Sequence, residues 1–236
     1  MNFGYSGNDD KINLDNRDIP NRYSIQLYHN LIDGIKLDNK RILEVGCGRG
    51  GGLNYVNRRF NPGTTCGLDM NKTAIDFCKK YYKVGNESFF QGDAQKLPFQ
   101  DNSFDVILNV ESSHRYPDME AFLSESYRTL TPGGYMLFTD FRYDYEMDEL
   151  LNQFNRSGLK LLSQTDITEN VVSALENDDE RRRVLIKRLA PGFLHSLALN
   201  FAGTVGSETY QLFKTRKYIY VKYILRKENS NIENSN

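Results

Sequence analysis

Three stretches of this chain carry residue types at spacings that can do chemistry. The first is Ile42-Leu43-Glu44-Val45-Gly46-Cys47-Gly48-Arg49-Gly50-Gly51-Gly52, an apolar strand that runs into glycine. Glycines there let the backbone enter positive-φ conformations and approach a ligand closely, and the helix that follows offers N–H groups with no intrahelical partner. Gly46, Gly48 and Gly51 also satisfy G-x-G-x-x-G, so this loop alone admits a dinucleotide, and a tight turn without any ligand would use the same residues. The second feature is Asp69 at the end of the next strand, where a carboxylate can accept hydrogen bonds from both hydroxyls of a ribose. Asp93-Ala94, after a third strand, can meet an adenine edge, although an aspartate in such a place is often only a turn former. The third stretch is Asn109-Val110-Glu111-Ser112-Ser113-His114-Arg115-Tyr116-Pro117-Asp118. Histidine is the side chain best suited to accept a proton near neutrality, so His114 can act as a base on, or an orienter of, a hydroxyl. Glu111 is the alternative base, or the group that fixes the tautomer of His114.

The elements that must position these residues follow a regular alternation. Apolar residues Leu27, Leu31 and Ile35 share one face of a helix predicted over 23–35. Strands are expected at 41–45, 64–68, 88–91, 104–110 and 135–141, with helices at 53–60, 72–82 and 119–130 between them. The strands are apolar on both faces, as in a mostly parallel sheet covered by helices on each side. In such a sheet ligands lie beyond the carboxyl ends of the strands, so the polar residues just after each strand matter most. A helix at 146–154, a strand at 159–162, a charged helix at 176–190, an apolar helix marked by Phe193, Leu197 and Phe201, and a strand at 218–226 complete the pattern. One domain over 1–236 is expected: an arm and helix (1–36, with a loose start over 1–20), a core (37–168), a helical cap insertion (169–216) and a last strand (217–227). Asp178/Arg182 and Asp179/Arg183, four apart, read as pairs on a solvated face, as does the basic cluster Arg181-Arg182-Arg183 with Lys187-Arg188.

Composition excludes several classes. With 30 basic and 31 acidic residues the net charge is −1, which builds no broad positive field for nucleic acid. The polar, acidic start is unlike a signal peptide, and no apolar run reaches the length of a membrane span, so no stable membrane insertion is expected. Cys47, Cys66 and Cys78 match no zinc spacing; Cys47 and Cys66 read as small buried fillers, Cys78 falls on the apolar face of the 72–82 helix, and a reduced, cytoplasmic setting fits. His29, His114 and His195 are too scattered for a metal cluster. Asp140, Asp144 and Asp166 offer magnesium only as a minor alternative, so no metal is expected.

Glu44-Val45-Gly46-Cys47-Gly48-Arg49-Gly50 resembles the first motif of class I S-adenosylmethionine-dependent methyltransferases. Asp69 matches the acidic end of their second strand, and Gln91-Gly92-Asp93-Ala94-Gln95-Lys96-Leu97-Pro98-Phe99 matches their adenine motif. Asp101-Asn102-Ser103-Phe104-Asp105-Val106-Ile107 resembles the approach to strand four, and Arg128-Thr129-Leu130-Thr131-Pro132-Gly133-Gly134 the segment before strand five. These ordered matches span about residues 40–140, and a dehydrogenase would not share the later ones. The resemblance implies a Rossmann-like α/β fold with a mostly parallel seven-stranded sheet, and S-adenosylmethionine as cofactor with S-adenosylhomocysteine as product. It places Glu44, Gly46, Cys47, Gly48 and Gly50 around the methionine part, Asp69 on the ribose, Met70 on the adenine face, Asp93 and Ala94 on the adenine edge, and Asn109 near the amino-acid portion.

The segment after strand four is similar to that of bacterial natural-product methyltransferases, including those acting on phthiotriolone-type polyketide lipids. That similarity implies O-methylation of a small hydroxylated molecule of secondary metabolism, with carbon and nitrogen acceptors as the rivals. An NAD-binding oxidoreductase and a non-catalytic cofactor-binding protein are the alternatives from other classes. Tyr23, Ser207, Tyr210 and Phe213 are expected to wall the acceptor, with the cap selecting it, in a monomer or homodimer.

Overall fold

The computed structural model describes residues 2–7, 12–82 and 86–229. Five strands form the parallel part of the sheet: β1 (Arg41–Val45), β2 (Thr64–Asp69), β3 (Glu87–Gln91), β4 (Phe104–Val110) and β5 (Leu130–Tyr143). Two more, β6 (Lys160–Asp166) and β7 (Tyr218–Arg226), complete it in the order β3-β2-β1-β4-β5-β7-β6, with β7 antiparallel to both neighbours. The order reverses at β1 and β4, so a crevice opens beyond their carboxyl ends. This is the Rossmann-like arrangement the sequence implied.

Each central strand is apolar on both faces because each face carries its own core. Ile42, Val106 and Leu108 join helices α1 (Arg22–Ile32), α2 (Gly51–Phe60) and α3 (Lys72–Tyr81) through Leu27, Leu53, Val56 and Ile75. Leu43, Val45 and Ile107 face the other way, against Phe122 and Leu123 of α4 (Met119–Thr129) and Leu150 and Phe154 of α5 (Met147–Arg156). The alternation along single strands is the two-residue period of a pleated chain.

The C-terminal third departs from the sequence expectation in its detail. The single charged helix predicted over 176–190 is two helices, α6 (Thr168–Asn177) and α7 (Asp179–Leu189), broken at Asp178, whose backbone (φ −102°, ψ 1°) leaves the helical region. Two short helices follow, α8 (His195–Phe201) and α9 (Glu208–Lys214). α6 and α9 lie on the sheet through Val171, Leu175 and Phe213 rather than standing wholly above it. The Asp178–Arg182 pair is not on a solvated face: both side chains are buried. The Arg182 guanidinium also donates to the carbonyls of Ala202 (2.8 Å) and Phe3 (2.9 Å). The start of the arm is correspondingly not loose. Asn2 and Phe3 are buried, and the Phe3 ring packs edge-on against Phe141 and Phe213.

Candidate active site

The crevice holds a cavity of about 1120 Å³. That exceeds the usual space for one drug-sized ligand and suits a cofactor with an acceptor beside it. One side is mostly backbone. Gly46 leaves β1 at φ +79°, and a Cβ there would lie 2.4 Å from the Ser112 hydroxyl, so only glycine fits. Gly48 is also left-handed, with open space where a side chain would be. Its N–H donates to Asp69 Oδ2 (2.7 Å), while Asn71 N–H donates to Asp69 Oδ1 (2.8 Å). Asp69 is thereby fixed at the rim, with no ion pair among the described residues. Met70 beside it is 63% exposed, an apolar surface presented to the cavity. Asp93 and Ala94 line the same end. Asp93 Oδ1 takes the Gln95 N–H (2.9 Å), so it is a turn former and a wall residue at once.

Some residues expected here stand one layer back. Glu44 is wholly buried under the cavity wall, and its Oε1 accepts the Tyr28 hydroxyl at 2.5 Å. Burial pushes its carboxyl up to about 7, against the Tyr28 hydrogen bond. Asn109, also buried, donates through Nδ2 to Val45 O (3.0 Å), Ser112 Oγ (2.9 Å) and Tyr116 OH (3.1 Å). It positions Ser112 and Tyr116, which line the cavity, instead of lining it itself. Gly50 makes no wall either: it starts α2 in a left-handed turn packed on Phe89, Cys78 and Tyr82. Cys47 does reach the cavity, and all three cysteines are buried and free.

The other side is built from side chains. β4 ends at Val110, and Glu111 turns the chain in a left-handed conformation (φ 49°). A 3-10 turn over Ser113–Arg115 then presents His114. Its Nδ1 lies 2.8 Å from Oδ1 of Asp140, near the end of β5. Asp140 is buried, and its Oδ2 accepts Ser113 Oγ (2.6 Å) and the His114 N–H (3.0 Å), with Arg142 at 3.3 Å. Burial alone would push this carboxyl up, but the hydrogen bond and electrostatic attraction of His114, followed by Arg142 and the Ser113 hydroxyl, outweigh it and hold Asp140 at about 2. Whenever the His114 ring is neutral, an ionised Asp140 keeps its proton on Nδ1 and leaves the Nε2 lone pair to accept. The Arg115 Nε–H points at that lone pair from 3.3 Å.

Asp140, not Glu111, therefore fixes the tautomer of His114. Glu111 serves the arm instead: its Oε2 accepts the Phe3 N–H (2.8 Å) and the Tyr220 hydroxyl (3.0 Å). Burial drives its carboxyl up to about 7. Asp140, Asp144 and Asp166 form no metal-binding cluster, and none occurs among the described residues; Asp166 pairs with Arg216 at 2.5 Å.

The four expected acceptor residues are not brought together. Tyr23 lies off the cavity under Gly4 and Tyr5. Ser207 caps α9 by accepting the Tyr210 N–H. Tyr210 turns its hydroxyl to Glu176 (2.6 Å), and Phe213 is buried behind Phe3 and Phe141. The acceptor side is lined instead by Phe3, Phe141, Phe201, Thr209 and Tyr218. Nothing local in the sequence marks Phe3. Asp140 sits inside β5, so nothing local pairs it with His114. Tyr28 had a signal in Gly52, where a Cβ would fall 1.9 Å from its ring.

Comparison with known proteins agrees with this geometry. The family described as a methyltransferase domain matches residues 43–138. A fatty-acid O-methyltransferase of Mycolicibacterium smegmatis is 44% identical over 195 residues, covering 82% of this chain and 71% of that protein. A phthiotriol/phenolphthiotriol dimycocerosates methyltransferase of Mycobacterium ulcerans is 43% identical over 183 residues, covering 78% and 68%. In fold, a putative sarcosine dimethylglycine methyltransferase from Galdieria sulphuraria superposes with a TM-score of 0.77 at 17% identity, over 97% of this chain and 94% of that one. The chain belongs to the class I S-adenosylmethionine-dependent methyltransferases. Within them it is closely related to the mycobacterial phthiotriol-type enzymes, and it is an enzyme that methylates a small organic or lipid molecule. The dehydrogenase alternative falls with that assignment.

The cavity suits this cofactor. Directly behind the glycine wall, Glu44 Oε2 and Asn109 Oδ1 have no hydrogen-bond partner among the described residues. The glycine cradle, the Asp69 carboxylate and exposed Met70 line one cavity and offer it backbone, anionic and apolar surfaces, which a nucleoside with an amino-acid tail can use.

Proposed function

We propose that the protein methylates an oxygen of a largely apolar, lipid-like acceptor, and that His114, held by Asp140, is the catalytic base. Gly46, Cys47 and Gly48 hold the amino-acid part of the cofactor over the Glu44 and Asn109 layer. Asp69 binds the ribose, Met70 covers the adenine, and Asp93 with Ala94 meets its edge. Bound there, S-adenosylmethionine supplies an electrophilic methyl group on a sulfonium and leaves as S-adenosylhomocysteine. The acceptor hydroxyl takes the place of Arg115 at His114 Nε2 and gives up its proton there as its oxygen attacks the methyl carbon. Asp140 stabilises the imidazolium that results and stays ionised throughout. Phe3, Phe141, Phe201 and Tyr218 wall the acceptor and keep water from the reacting oxygen.

The observation that carries this reading is the His114–Asp140 contact at the rim where β4 and β5 end. Relatives named for fatty acids and for phthiotriol lipids support the acceptor class. The chain acts on no nucleic acid, in keeping with its near-neutral charge, and works in the cytoplasm as a monomer or homodimer.

A carboxylate acceptor is the second reading, favoured by Arg115, whose guanidinium has no ion pair among the described residues and lies over the Phe201 ring. A fatty-acid carboxylate arrives ionised and needs that cation, not a base. Methyl-labelled cofactor given with a long-chain diol, a phenolic lipid and a fatty acid separates the two. Methyl ethers that disappear in His114→Asn support the hydroxyl reading, whereas a methyl ester made equally by His114→Asn assigns the carboxylate. A carbon- or nitrogen-bound methyl would overturn both.

A further inference from the structure

Residues 181–207 contain five basic side chains and no carboxylate, in a chain where 31 of 236 residues are acidic. Arg181 and Arg182 are tied to Asp178, and Arg183 to Asp179. Lys187 and Arg188, exposed on the last turn of α7, have no ion pair among the described residues. Next to them in the chain stand apolar side chains left largely exposed among the described residues: Leu189 at the end of α7, and Phe193 and Leu197 at helical spacing leading into α8, the barest of them 86% exposed. The same spacing continues to Phe201, which is exposed on one side and lines the cavity on the other. An apolar strip flanked by unpaired cations thus runs to the mouth of the site.

We propose that this α7–α8 face is a docking surface for an anionic lipid bilayer, from which the acceptor enters past Phe201. It rests on the lipid-acceptor reading for the direction of delivery. Apolar side chains seated at the headgroup boundary with basic side chains around them are the mark of a segment that lies on a membrane without crossing it. No helix among the described residues is long and apolar enough to cross one. A second copy of the chain fits the strip less well. A two-fold interface would set the Lys187 and Arg188 of one copy against the same patch of the other, with no carboxylate in the strip to offset them. An anionic surface turns the same charges into attraction, of about 1 kcal/mol per basic residue near the membrane.

Co-sedimentation with phosphatidylcholine vesicles, with and without phosphatidylglycerol, tests the proposal without using any acceptor. The intact protein should partition onto the anionic vesicles at least about tenfold more strongly, and salt should release it. Lys187→Glu with Arg188→Glu should cut that partition about tenfold, and Phe193→Ser with Leu197→Ser should do the same. Both variants should bind S-adenosylhomocysteine like the parent, which shows that they are folded. Protein that stays in the supernatant, or variants that partition unchanged, would overturn the proposal. So would a dimer in sedimentation velocity that the Phe193→Ser, Leu197→Ser variant dissociates. Because methyl transfer is not read, docking can fail while the acceptor assignment stands, and the reverse.

Discussion

The two sides of the cavity are made in different ways. The cofactor side, at the ends of β1, β2 and β3, is backbone with a few carboxylates set by local turns: Gly46, Gly48, Asp69 and Asp93 all lie within three residues of a strand end. The acceptor side is assembled from four distant segments. Phe3 comes from the arm, His114 from the loop after β4, Asp140 from β5, and Arg182 and Phe201 from the C-terminal helices. A backbone-built surface tolerates almost no change in shape but depends on few side chains. A surface built from distant side chains can change its specificity while the chemistry beneath it is kept.

The sharpest break between the two sides should come at Gly46. Gly46→Ala puts a methyl into Ser112 at a positive φ, and S-adenosylhomocysteine affinity should fall by about 10²-fold or more in calorimetry. Asp140→Asn should leave that affinity within about twofold while lowering kcat on a hydroxyl acceptor by about 10²-fold, because the wrong tautomer of His114 then becomes accessible. Equal losses of cofactor affinity in both variants would erase the distinction between the sides.

Smaller effects probe the link between the arm and the acceptor side. A carboxyl whose pKa is raised in the fold makes the fold less stable as pH climbs from the ordinary carboxylate range to about 7, since the unfolded chain gives up its proton first. Glu111→Gln keeps an acceptor for Phe3 and Tyr220 and removes the charge. Its Tm should exceed that of the parent by about 3 °C at pH 8 and match it at pH 4 in thermal unfolding. The smallest effect is expected at Tyr210. Its hydroxyl meets Glu176 outside the cavity, so Tyr210→Phe should change acceptor KM by less than about twofold. A larger change would return the α9 face to the acceptor wall.

The same contrast explains what was legible in the sequence. Strands apolar on both faces, glycines after β1 and carboxylates after β2 and β3 are local patterns, and the sheet with its cofactor side follows from them. His114 was legible for the same reason, standing in a polar loop after the central strand. Its partner was not, because pairing Glu111 or Asp140 with it depends on how the left-handed turn at Glu111 swings that side chain away to Phe3 and Tyr220. Tyr23, Tyr210 and Phe213 were aromatic residues in the right segments. Aromatics at helical spacing serve packing as readily as binding, and only tertiary contacts separate the two. The burial of Arg182 was hidden likewise, since a pair four residues apart reads the same on a solvated face as beneath the arm.

The most direct test of the central claim is the turnover of His114→Asn with a hydroxyl acceptor, measured beside its affinity for S-adenosylhomocysteine. The structure predicts that kcat falls by about 10²- to 10³-fold with cofactor affinity within about twofold of the parent. Turnover that survives the substitution, with the cofactor still bound, would contradict the assignment of His114 as the base.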